Sequence, residues 1–387
     1  MTSPDQPPSD LAREVYGLLG IPIDVIEMPE VLSRIRSAAR ASRPYLVSTA
    51  NLNFLSASHK DLGFRETLLA SDLCTADGVP LIWIAKLLGI PLRSRVAGSD
   101  MFEALRSDRD ALHRLRVFLF GGDEGVAAAA CSALNSQDGG VLCAGCFNPG
   151  YCGVNEMSSE EVIALINASH ADFLVAALGA AKGQEWLIRN HQRITVPVRA
   201  HLGATLNFQA GVHRRAPKIL RRMGFEWLWR IKEEPKLWRR YADDAFVVAS
   251  FMLTRILPLM LIRALKRKTG RPLEVERSET QESSVISLNG DATAANVSRV
   301  LPFFEAAAIG YRDLSINFSG ATMVDARFIG LILMLKKELR QRGLHLKLTD
   351  LRPPVERSFR LNGFGYLIGV VVERSSHDAH ESRYAAG

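Results

Sequence analysis

Hydrophobic residues in the first half of the chain fall into short continuous runs that alternate with segments of helical period. Runs of strand length lie at 45–49, 116–120 and 171–178. The helical segments include 62–70, 81–88, 126–134 and 186–191. Continuous apolar strands joined by helices are typical of a parallel sheet covered on both faces. The pattern predicts a parallel-sheet α/β/α domain whose ligands bind beyond the carboxyl ends of the strands.

The pattern changes after residue 245. Residues 245–262 are almost wholly apolar, although Arg255 and Pro258 interrupt them and several basic residues follow. A membrane-spanning helix needs about 20 apolar residues, and a charge in its middle is costly. The segment is therefore predicted to be an amphipathic helix that lies in a membrane interface without crossing it. A core or interdomain helix fits the same residues equally well.

A second, smaller domain is predicted towards the C-terminus. Residues 270–284 are polar without an apolar period, which is typical of a linker. Beyond them, strands at 285–288, 314–318 and 344–348 alternate with helices at 294–308 and 326–343. A further short helix and strand follow. A unit of about 90 residues is a normal size for a separate small α/β domain.

These patterns divide the chain into four parts. They are a first domain at 1–245, an amphipathic helix and linker at 246–280, a second domain at 281–375 and a tail at 376–387. The tail and the Pro- and Ser-rich first ten residues are expected to be disordered.

The positive charge of the chain is concentrated in one segment. The chain has 48 Lys and Arg against 41 Asp and Glu, a net charge of +7. Between His213 and Tyr241, ten basic residues stand against three glutamates, so this segment alone carries the same net charge. Its basic residues alternate with Trp227, Trp229 and Trp238, which is typical of a surface that meets an anionic membrane. Nucleic acid is the alternative, but no nucleic-acid-binding motif accompanies the segment, so none is expected.

The cysteines and the N-terminus bear on the compartment. Five cysteines are an odd number, and the first residues lack the basic and apolar parts of a secretory signal. We therefore expect a reducing cytoplasm, with the protein attached peripherally to the inner face of the cell membrane. Cys143 and Cys146 have CxxC spacing, but no histidine or second pair lies at metal-ligand spacing. Buried thiols are favoured over a metal or redox role.

Four sets of polar residues or glycines lie at the ends of strands or the beginnings of helices. They are Thr49 with Asn51, Asp77 with Gly78, Arg95, and Gly121 with Gly122. A glycine after Asp77 lets the backbone turn sharply and expose the carboxylate. The two glycines before a helix let backbone N–H groups approach a phosphate. Each set alone has an ordinary structural explanation, such as a helix cap or a surface ion pair, but together they indicate a binding site.

Several blocks of sequence carry a family resemblance. They are ANLNFLSAS, TADGVPLIW, RVAGSDMFEAL, VFLFGGDEGVAAAA and HLGATLNFQAGVHRRAP. Collinear over residues 20–241, they resemble the WecG/TagA/CpsF glycosyltransferases. The resemblance implies transfer of N-acetylmannosamine or another hexose, with inversion, from a UDP-sugar to a polyprenyl-diphosphate-linked saccharide in cell-surface polysaccharide synthesis, such as that of an exopolysaccharide. The alternative is a non-catalytic scaffold of a polysaccharide-synthesis complex.

The resemblance also implies roles for individual residues. Asp77 corresponds to the general base, and the substrate-binding residues are Thr49, Asn51, Arg95, Gln184 and Glu185. The loop before Gln184 departs from the family pattern, since it has alanine for proline and an extra glycine. In the family the basic segment packs over the active site and meets the membrane, which assigns the lipid diphosphate and the membrane surface to Arg214, Arg215, Arg221, Arg222 and Arg230. Residues 212–245 are called the appendage below.

Inverting transfer needs one base for the acceptor hydroxyl and a means of stabilising the departing UDP. A carboxylate in a partly dry pocket suits the first task, because burial raises its pKa. Metal ions, arginines and helix N-termini can all serve the second. The only DxD sequence, 108–110, lies in a charged helical stretch. We therefore expect neither metal nor cofactor, and assign UDP stabilisation to Arg95 and the Gly121-Gly122 turn.

The C-terminal domain resembles a STAS domain, the fold of anti-sigma-factor antagonists. The resemblance lies in residues 314–331 and 342–348. Phosphorylated STAS domains have a serine after the aspartate that corresponds to Asp325, whereas this chain has Ala326, which has no hydroxyl. A phosphorylation switch is therefore not expected. A protein partner, homo-oligomerisation, and lipid or nucleotide binding stay open.

Overall fold

The computed structural model describes residues 9–108, 114–266, 270–279 and 283–368, which form three sheets and the helices packed on them. The strands in these ranges are β1 Val15–Leu18, β2 Ile21–Asp24, β3 Tyr45–Ala50, β4 Leu73–Ala76, β5 Leu115–Gly121, β6 Val141–Phe147, β7 Phe173–Ala177, β8 Val198–His201, β9 Glu274–Glu279, β10 Ser283–Ala292, β11 Asp313–Val324 and β12 Leu346–Thr349. The α-helices are α1 Met28–Arg40, α2 Leu52–Lys60, α3 Leu62–Ala70, α4 Val79–Leu88, α5 Gly98–Ser107, α6 Val126–Asn135, α7 Glu160–Ala168, α8 Ala180–Arg189, α9 Gly203–Gln209, α10 Lys218–Met223, α11 Glu226–Glu233, α12 Leu237–Phe251, α13 Leu257–Lys266, α14 Val297–Ala308, α15 Ala326–Gln341 and α16 Pro353–Leu361.

The first domain is built on a six-stranded parallel sheet of order β4-β3-β8-β7-β5-β6. Side chains of successive strand residues point to opposite faces, and both faces are covered. In β5, for example, Val117 packs into one hydrophobic core and Phe118 into another. This is why the strands are apolar without alternation, and it confirms the predicted α/β/α domain. All six strands end at the same edge, which we call the carboxyl edge.

The C-terminal domain has a four-stranded sheet of order β12-β11-β10-β9, in which only β9 runs antiparallel to its neighbour. It confirms the predicted small α/β domain. The linker predicted for 270–284 is wrong at 274–279, which form β9, and at 283–284, which begin β10. This edge strand exposes almost all its side chains, and charged residues are common on edge strands. The strand predicted after the last helix and the tail at 376–387 lie outside the described residues.

A short N-terminal hairpin of β1 and β2 lies between the two domains. The hydrophobic pattern did not predict it, since each strand has only four residues and they are joined at Leu19 and Gly20. Residues 1–8 are outside the described ranges. Asp10, which we expected to be disordered, instead begins a 3₁₀ turn, Asp10–Ala12, and forms ion pairs with Arg13 and Lys337.

The appendage leads into a long helix. Helix α12, a π-helical turn at Met252–Ile256 and α13 follow one another without a break. Within the described part of the chain, Leu237–Leu265 is the one stretch of helix whose length and composition suit a membrane span, a test that core helices of soluble proteins also pass. The helix packs against α2, α4 and α16 through residues such as Phe251 and Ile256.

The cysteines differ from the expectation of buried thiols. Cys131 on α6 and Cys143 on β6 form a disulfide, with Cα atoms 5.2 Å apart. They meet because α6 packs directly on β6. Cys74 is a buried free thiol, while Cys146 and Cys152 are free and partly buried. The CxxC pair is therefore not bonded to itself, since its second cysteine lies further along β6.

Candidate active site

A cleft of about 510 Å³ lies at the carboxyl edge of the six-stranded sheet, beneath the appendage. Its floor comes from the ends of β3, β5, β7 and β8, and from the residue that follows β4. Helix α11 and the beginning of α12 cover one side, contributing Glu226, Trp229, Arg230, Glu233 and Arg240. The cleft therefore lies where the strand pattern predicts a ligand site.

Asp77 lies at the cleft immediately after β4 and is partly buried. Gly78 has a φ of 138°, which allows the sharp turn into α4. The backbone N–H of Gly98, at the N-terminus of α5, lies 3.4 Å from Asp77 Oδ2. The pKa of Asp77 is raised to about 6, chiefly by burial; Arg95 and Arg230 oppose the shift, and the charge of Glu226 adds to it. A carboxyl group with this pKa is suited to accept a proton near neutral pH.

Thr49 and Asn51 line the same cleft. Asn51 caps α2, accepting a hydrogen bond from the backbone N–H of Phe54 at its Oδ1. Thr49 is the penultimate residue of the buried strand β3 and packs against Gly98, where an added Cβ would lie 3.2 Å from Thr49 Oγ1. The structure thus brings Thr49, Asn51 and Asp77 together, as the sequence predicted.

Gly121 and Gly122 also line the cleft and have positive φ values of 95° and 84°. A Cβ at Gly121 would lie 2.6 Å from the carbonyl oxygen of Ala177, so the neighbouring strand requires glycine there. The N–H of Gly122 donates to that same oxygen at 2.8 Å. We expected the N–H groups of this turn to bind phosphate; that of Gly122 is already used within the sheet.

Arg95 is not among the residues that line the cleft. Its guanidinium donates to Asp100 Oδ2 and to Glu226 Oε2, each at 2.7 Å. The structure therefore does not support the predicted direct contact between Arg95 and the departing UDP. Arg95 instead joins the core to α11 through Glu226, and its positive charge lowers the pKa of Asp77.

Gln184 and Glu185 are not placed at the cleft, contrary to the prediction. Gln184 is fully buried and donates from Nε2 to Ser48 Oγ at 2.9 Å, while Glu185 is exposed. Helix α8 begins at Ala180, so only its first turn reaches the cleft, through Ala180 and Lys182. The helical period then turns residue 184 towards the sheet and residue 185 towards solvent.

The predicted arginines divide into two groups. Arg214 and Arg230 line the cleft, and neither forms an ion pair with a carboxylate in the described ranges. Arg215 and Arg221 instead bind Asp100 Oδ1, at 2.6 and 2.8 Å, and fasten the appendage to α5. The side chain of Arg222 lies outside the described part of the structure.

His201 is the main cleft residue that sequence reasoning missed. It ends β8, is 7% exposed and lines the cleft. Burial lowers its pKa to about 4, so the ring is neutral, and its Nε2 is buried without a hydrogen-bond partner among the described residues. The ring packs on α8, where a Cβ at Gly183 would lie 2.2 Å from its Cδ2. Its position directly after an apolar strand was the signal that could have indicated it.

The remaining missed residues come from loops, from helices α2, α8 and α9, and from the appendage. Polar or charged ones that line the cleft include Asn53, Asp123, Asn148, Tyr151, Lys182, Asn207, Glu226, Glu233, Glu234 and Arg240. The described residues contain no group of three or more His, Cys, Asp or Glu side chains that could hold a metal ion. Asp108 forms an ion pair with Arg36, and Arg109 and Asp110 lie outside the described ranges.

Comparison with known families identifies the fold that carries this cleft. Residues 16–260 match the model of the glycosyl transferase WecG/TagA/CpsF family. The chain belongs to this family of glycosyltransferases. As predicted, it is an enzyme, and the cleft at the carboxyl edge is the candidate active site of this transferase.

Two bacterial relatives of the transferase are named N-acetylglucosaminyldiphosphoundecaprenol N-acetyl-beta-D-mannosaminyltransferase. The one from Bacillus spizizenii is 31% identical over 196 residues, covering 48% of this chain and 74% of the relative. The one from Staphylococcus aureus is 24% identical over 215 residues, covering 55% and 82%. The similarity is therefore to most of each relative and to about half of this chain.

The second domain of the transferase matches the model described as Mlab, STAS domain, over residues 275–370. The predicted STAS resemblance is thereby confirmed. A structure of the anti-sigma factor antagonist SpoIIAA in its unphosphorylated form is 23% identical, with a TM-score of 0.23, and covers 28% of this chain and 96% of that protein.

Proposed function

We propose that the transferase moves a sugar from a UDP-sugar to a polyprenyl-diphosphate-linked saccharide, with inversion and with Asp77 as the general base. The observation that carries this proposal is the position of Asp77, a carboxylate with a raised pKa at the cleft. The names of the two relatives, which specify a polyprenyl-diphosphate acceptor and a transferred N-acetylmannosaminyl group, support the acceptor class.

The proposed reaction is a single displacement. Asp77 takes the proton of the acceptor hydroxyl while the acceptor oxygen forms a bond to the anomeric carbon on the face opposite to UDP. The bond from the anomeric carbon to the UDP oxygen breaks, and its electron pair leaves with UDP. Unpaired arginines can stabilise the diphosphate charge without a metal ion. Arg214, Arg230 and Arg240 line the cleft and suit this role better than Arg95, which is held by two carboxylates.

We also propose that the transferase binds the cytoplasmic face of an anionic membrane. Five apolar side chains on the outer side of the long helix are 42–84% exposed: Phe246, Leu253, Leu257, Leu261 and Leu265. We call them the apolar ridge. Arg255 lies 4.9 Å from the ring of buried Phe251, away from that ridge. An uncharged apolar ridge beside a basic, Trp-rich segment is the composition that an anionic bilayer interface attracts.

Replacing the proposed base tests the reaction. In Asp77→Asn the amide cannot accept the proton, so we expect kcat for UDP release with a lipid-linked acceptor to fall by a factor of about 10²–10⁴. Asp123→Asn is the matched control, since Asp123 is a second carboxylate that lines the cleft. Circular dichroism should show the same fold for both variants. Wild-type turnover by Asp77→Asn would rule out the base assignment and leave the scaffold alternative.

A further inference from the structure

The helix α15 of the STAS domain is buried on all sides. Every residue from Arg327 to Leu335 is buried, an unbroken run that no two-sided amphipathic helix would show. One side packs on the sheet of its own domain, and the other packs on the N-terminal hairpin. Leu11 and Val15, which precede the transferase core in sequence, belong to the same hydrophobic cluster as Phe328 and Leu331.

The contact between hairpin and STAS domain is too close for side chains at several positions. A Cβ at Gly330, in the middle of α15, would lie 2.0 Å from the carbonyl oxygen of Val15. A Cβ at Gly17 would lie 2.7 Å from Ile329 Cγ2, and one at Gly363 would lie 2.5 Å from the backbone nitrogen of Gly20. At Gly330 and Gly363 the backbones of the STAS domain and the hairpin are therefore in direct contact. This face of α15 has no room for another binding partner.

Buried charges fasten the same interface. Lys337, on α15, donates to Asp72 Oδ1 at 2.7 Å, to Asp10 Oδ1 at 3.1 Å and to the carbonyl oxygen of Ser71 at 3.2 Å. Burial alone would raise the pKa of Asp72, but Lys337, the N–H of Leu46 and Arg13 together outweigh it and hold this pKa below its usual value. Arg13 donates to both carboxylate oxygens of Asp24, at 3.0 and 2.8 Å, and to Asp10 at 2.6 Å.

These charged residues hold the strand that leads to Asp77. Strand β4 is at the edge of the six-stranded sheet, so no strand is paired with it on one side, where β2 of the hairpin contacts it instead. On that side Asp24 Oδ2 accepts the N–H of Cys74 at 2.7 Å. Asp72, directly before β4, accepts the N–H of Leu46 at 2.8 Å as well as the ammonium of Lys337. The distance along the chain from Asp72 to Asp77 is five residues, all within or next to this strand.

We propose that the STAS domain acts in cis as a clamp on the transferase: α15 and the hairpin hold edge strand β4 and so position Asp77. The partner of this STAS face is the chain's own first domain. Lys337 is a positioning residue, since it acts through Asp72 and β4. The inference rests on the proposed function only in taking Asp77 as the base.

Gly330→Ala tests the clamp. Alanine is a better helix former than glycine, so α15 itself gains stability while the new Cβ collides with Val15. Gly63→Ala is the matched control, because Gly63 is an exposed glycine in helix α3. Hydrogen–deuterium exchange of a peptide covering 72–77, and kcat and KM for the UDP-sugar, are measured on the full chain well below its melting temperature.

For Gly330→Ala we expect exchange at the Cys74 amide to rise by about tenfold or more, and for Gly63→Ala no change. A displacement of Asp77 by about 1 Å should lower kcat by roughly tenfold or more, with KM for the donor within about twofold of wild type. Lys337→Met gives the same test without a steric clash. Its control is Arg340→Ala, because Arg340 lies on the same helix as Lys337 and forms an exposed ion pair with Glu66.

The outcomes separate the clamp from a purely stabilising contact. Lower melting temperatures for Gly330→Ala and Lys337→Met, with wild-type kcat and wild-type exchange at 72–77, would overturn the proposal. Full transferase activity of a folded chain that lacks residues 270–387 would also overturn it. If Asp77→Asn stays active, the proposed base fails, whereas exchange at 72–77 still decides whether the STAS domain holds β4.

Discussion

Opposing charges meet around Asp77, and their balance sets how readily it takes a proton. Arg95, in the loop before α5, stabilises the carboxylate, and so does Arg230 on α11. Glu226, also on α11, destabilises it, and at the same time holds Arg95 by an ion pair of 2.7 Å. Because Glu226 belongs to the appendage, the position of α11 contributes to the pKa of the proposed base.

The pH profile of Glu226→Gln tests this coupling. Wild-type kcat should fall as the pH drops below about 6, because Asp77 must be ionised to act as a base. Removing the negative charge of Glu226 favours the ionised form of Asp77, so its pKa falls and the acid limb of the profile moves to lower pH, by about one unit or less. Measurements of kcat between about pH 4.5 and 8 check this direction.

Glu233→Gln is the control for this experiment. Glu233 lies on the same helix and lines the same cleft, but it is not among the main groups that shift the pKa of Asp77. Its profile should match that of the wild type. An acid limb of Glu226→Gln that stays in place, or moves to higher pH, would contradict the role of Glu226.

At the scale of the elements, one carboxylate anchors the appendage to the core. Asp100, in the first turn of α5, binds Arg95, Arg215 and Arg221, two of which belong to the appendage. Burial opposes its ionisation, but the arginines outweigh burial and hold the pKa of Asp100 below its usual value. Asp100 therefore stays charged and keeps α10 and α11 over the cleft.

Asp100→Asn should loosen the appendage. The three guanidinium groups would then face one another without their shared counter-charge, and repulsion between partly buried like charges is costly. We expect faster cleavage by trypsin after the appendage arginines and a higher KM for the donor, with the sheet unchanged by circular dichroism. Asp108→Asn, which removes the ion pair with Arg36 elsewhere on the first domain, is the comparison that should behave as wild type.

The apolar ridge predicts a measurable affinity for lipid. In the triple variant Leu253→Gln, Leu257→Gln and Leu261→Gln, three exposed apolar side chains become polar while the packed side of the helix stays intact. Each buried leucine contributes roughly 1.5–3 kcal/mol to insertion, so co-sedimentation with phosphatidylglycerol vesicles should be lost. Leu165→Gln with Ile309→Gln is the control, since these exposed apolar residues lie away from the long helix. Undiminished sedimentation of the triple variant would contradict membrane binding through the ridge.

Across the whole molecule, the sequence predicts what depends on local periodicity and misses what depends on distant contacts. The parallel sheet follows from the alternation of strands and helices along the chain. Thr49, Asn51 and Asp77 meet at its carboxyl edge because they lie at the ends of neighbouring strands. The ion pair that occupies Arg95 joins residues 131 positions apart, and no local pattern indicates it. Gln184 was misplaced because a motif gives neither the residue at which a helix begins nor the side that faces the sheet.

The domain organisation shows the same limit. The hairpin and β9 are short or highly charged, so neither has the apolar alternation of a strand. Both are stabilised by neighbours, the hairpin by α15 and β9 by β10. A pattern-based boundary therefore separates two domains that share a hydrophobic core.

That shared core has a consequence for synthesis. Val15 accepts a hydrogen bond from Arg327, a residue made 312 positions later. Until the ribosome has completed α15, the hairpin has no surface to cover Leu11 and Val15, and uncovered apolar segments promote aggregation of nascent chains. Chains that stop before this helix leave Leu11 and Val15 uncovered, so we expect them to aggregate more readily than chains that contain α15.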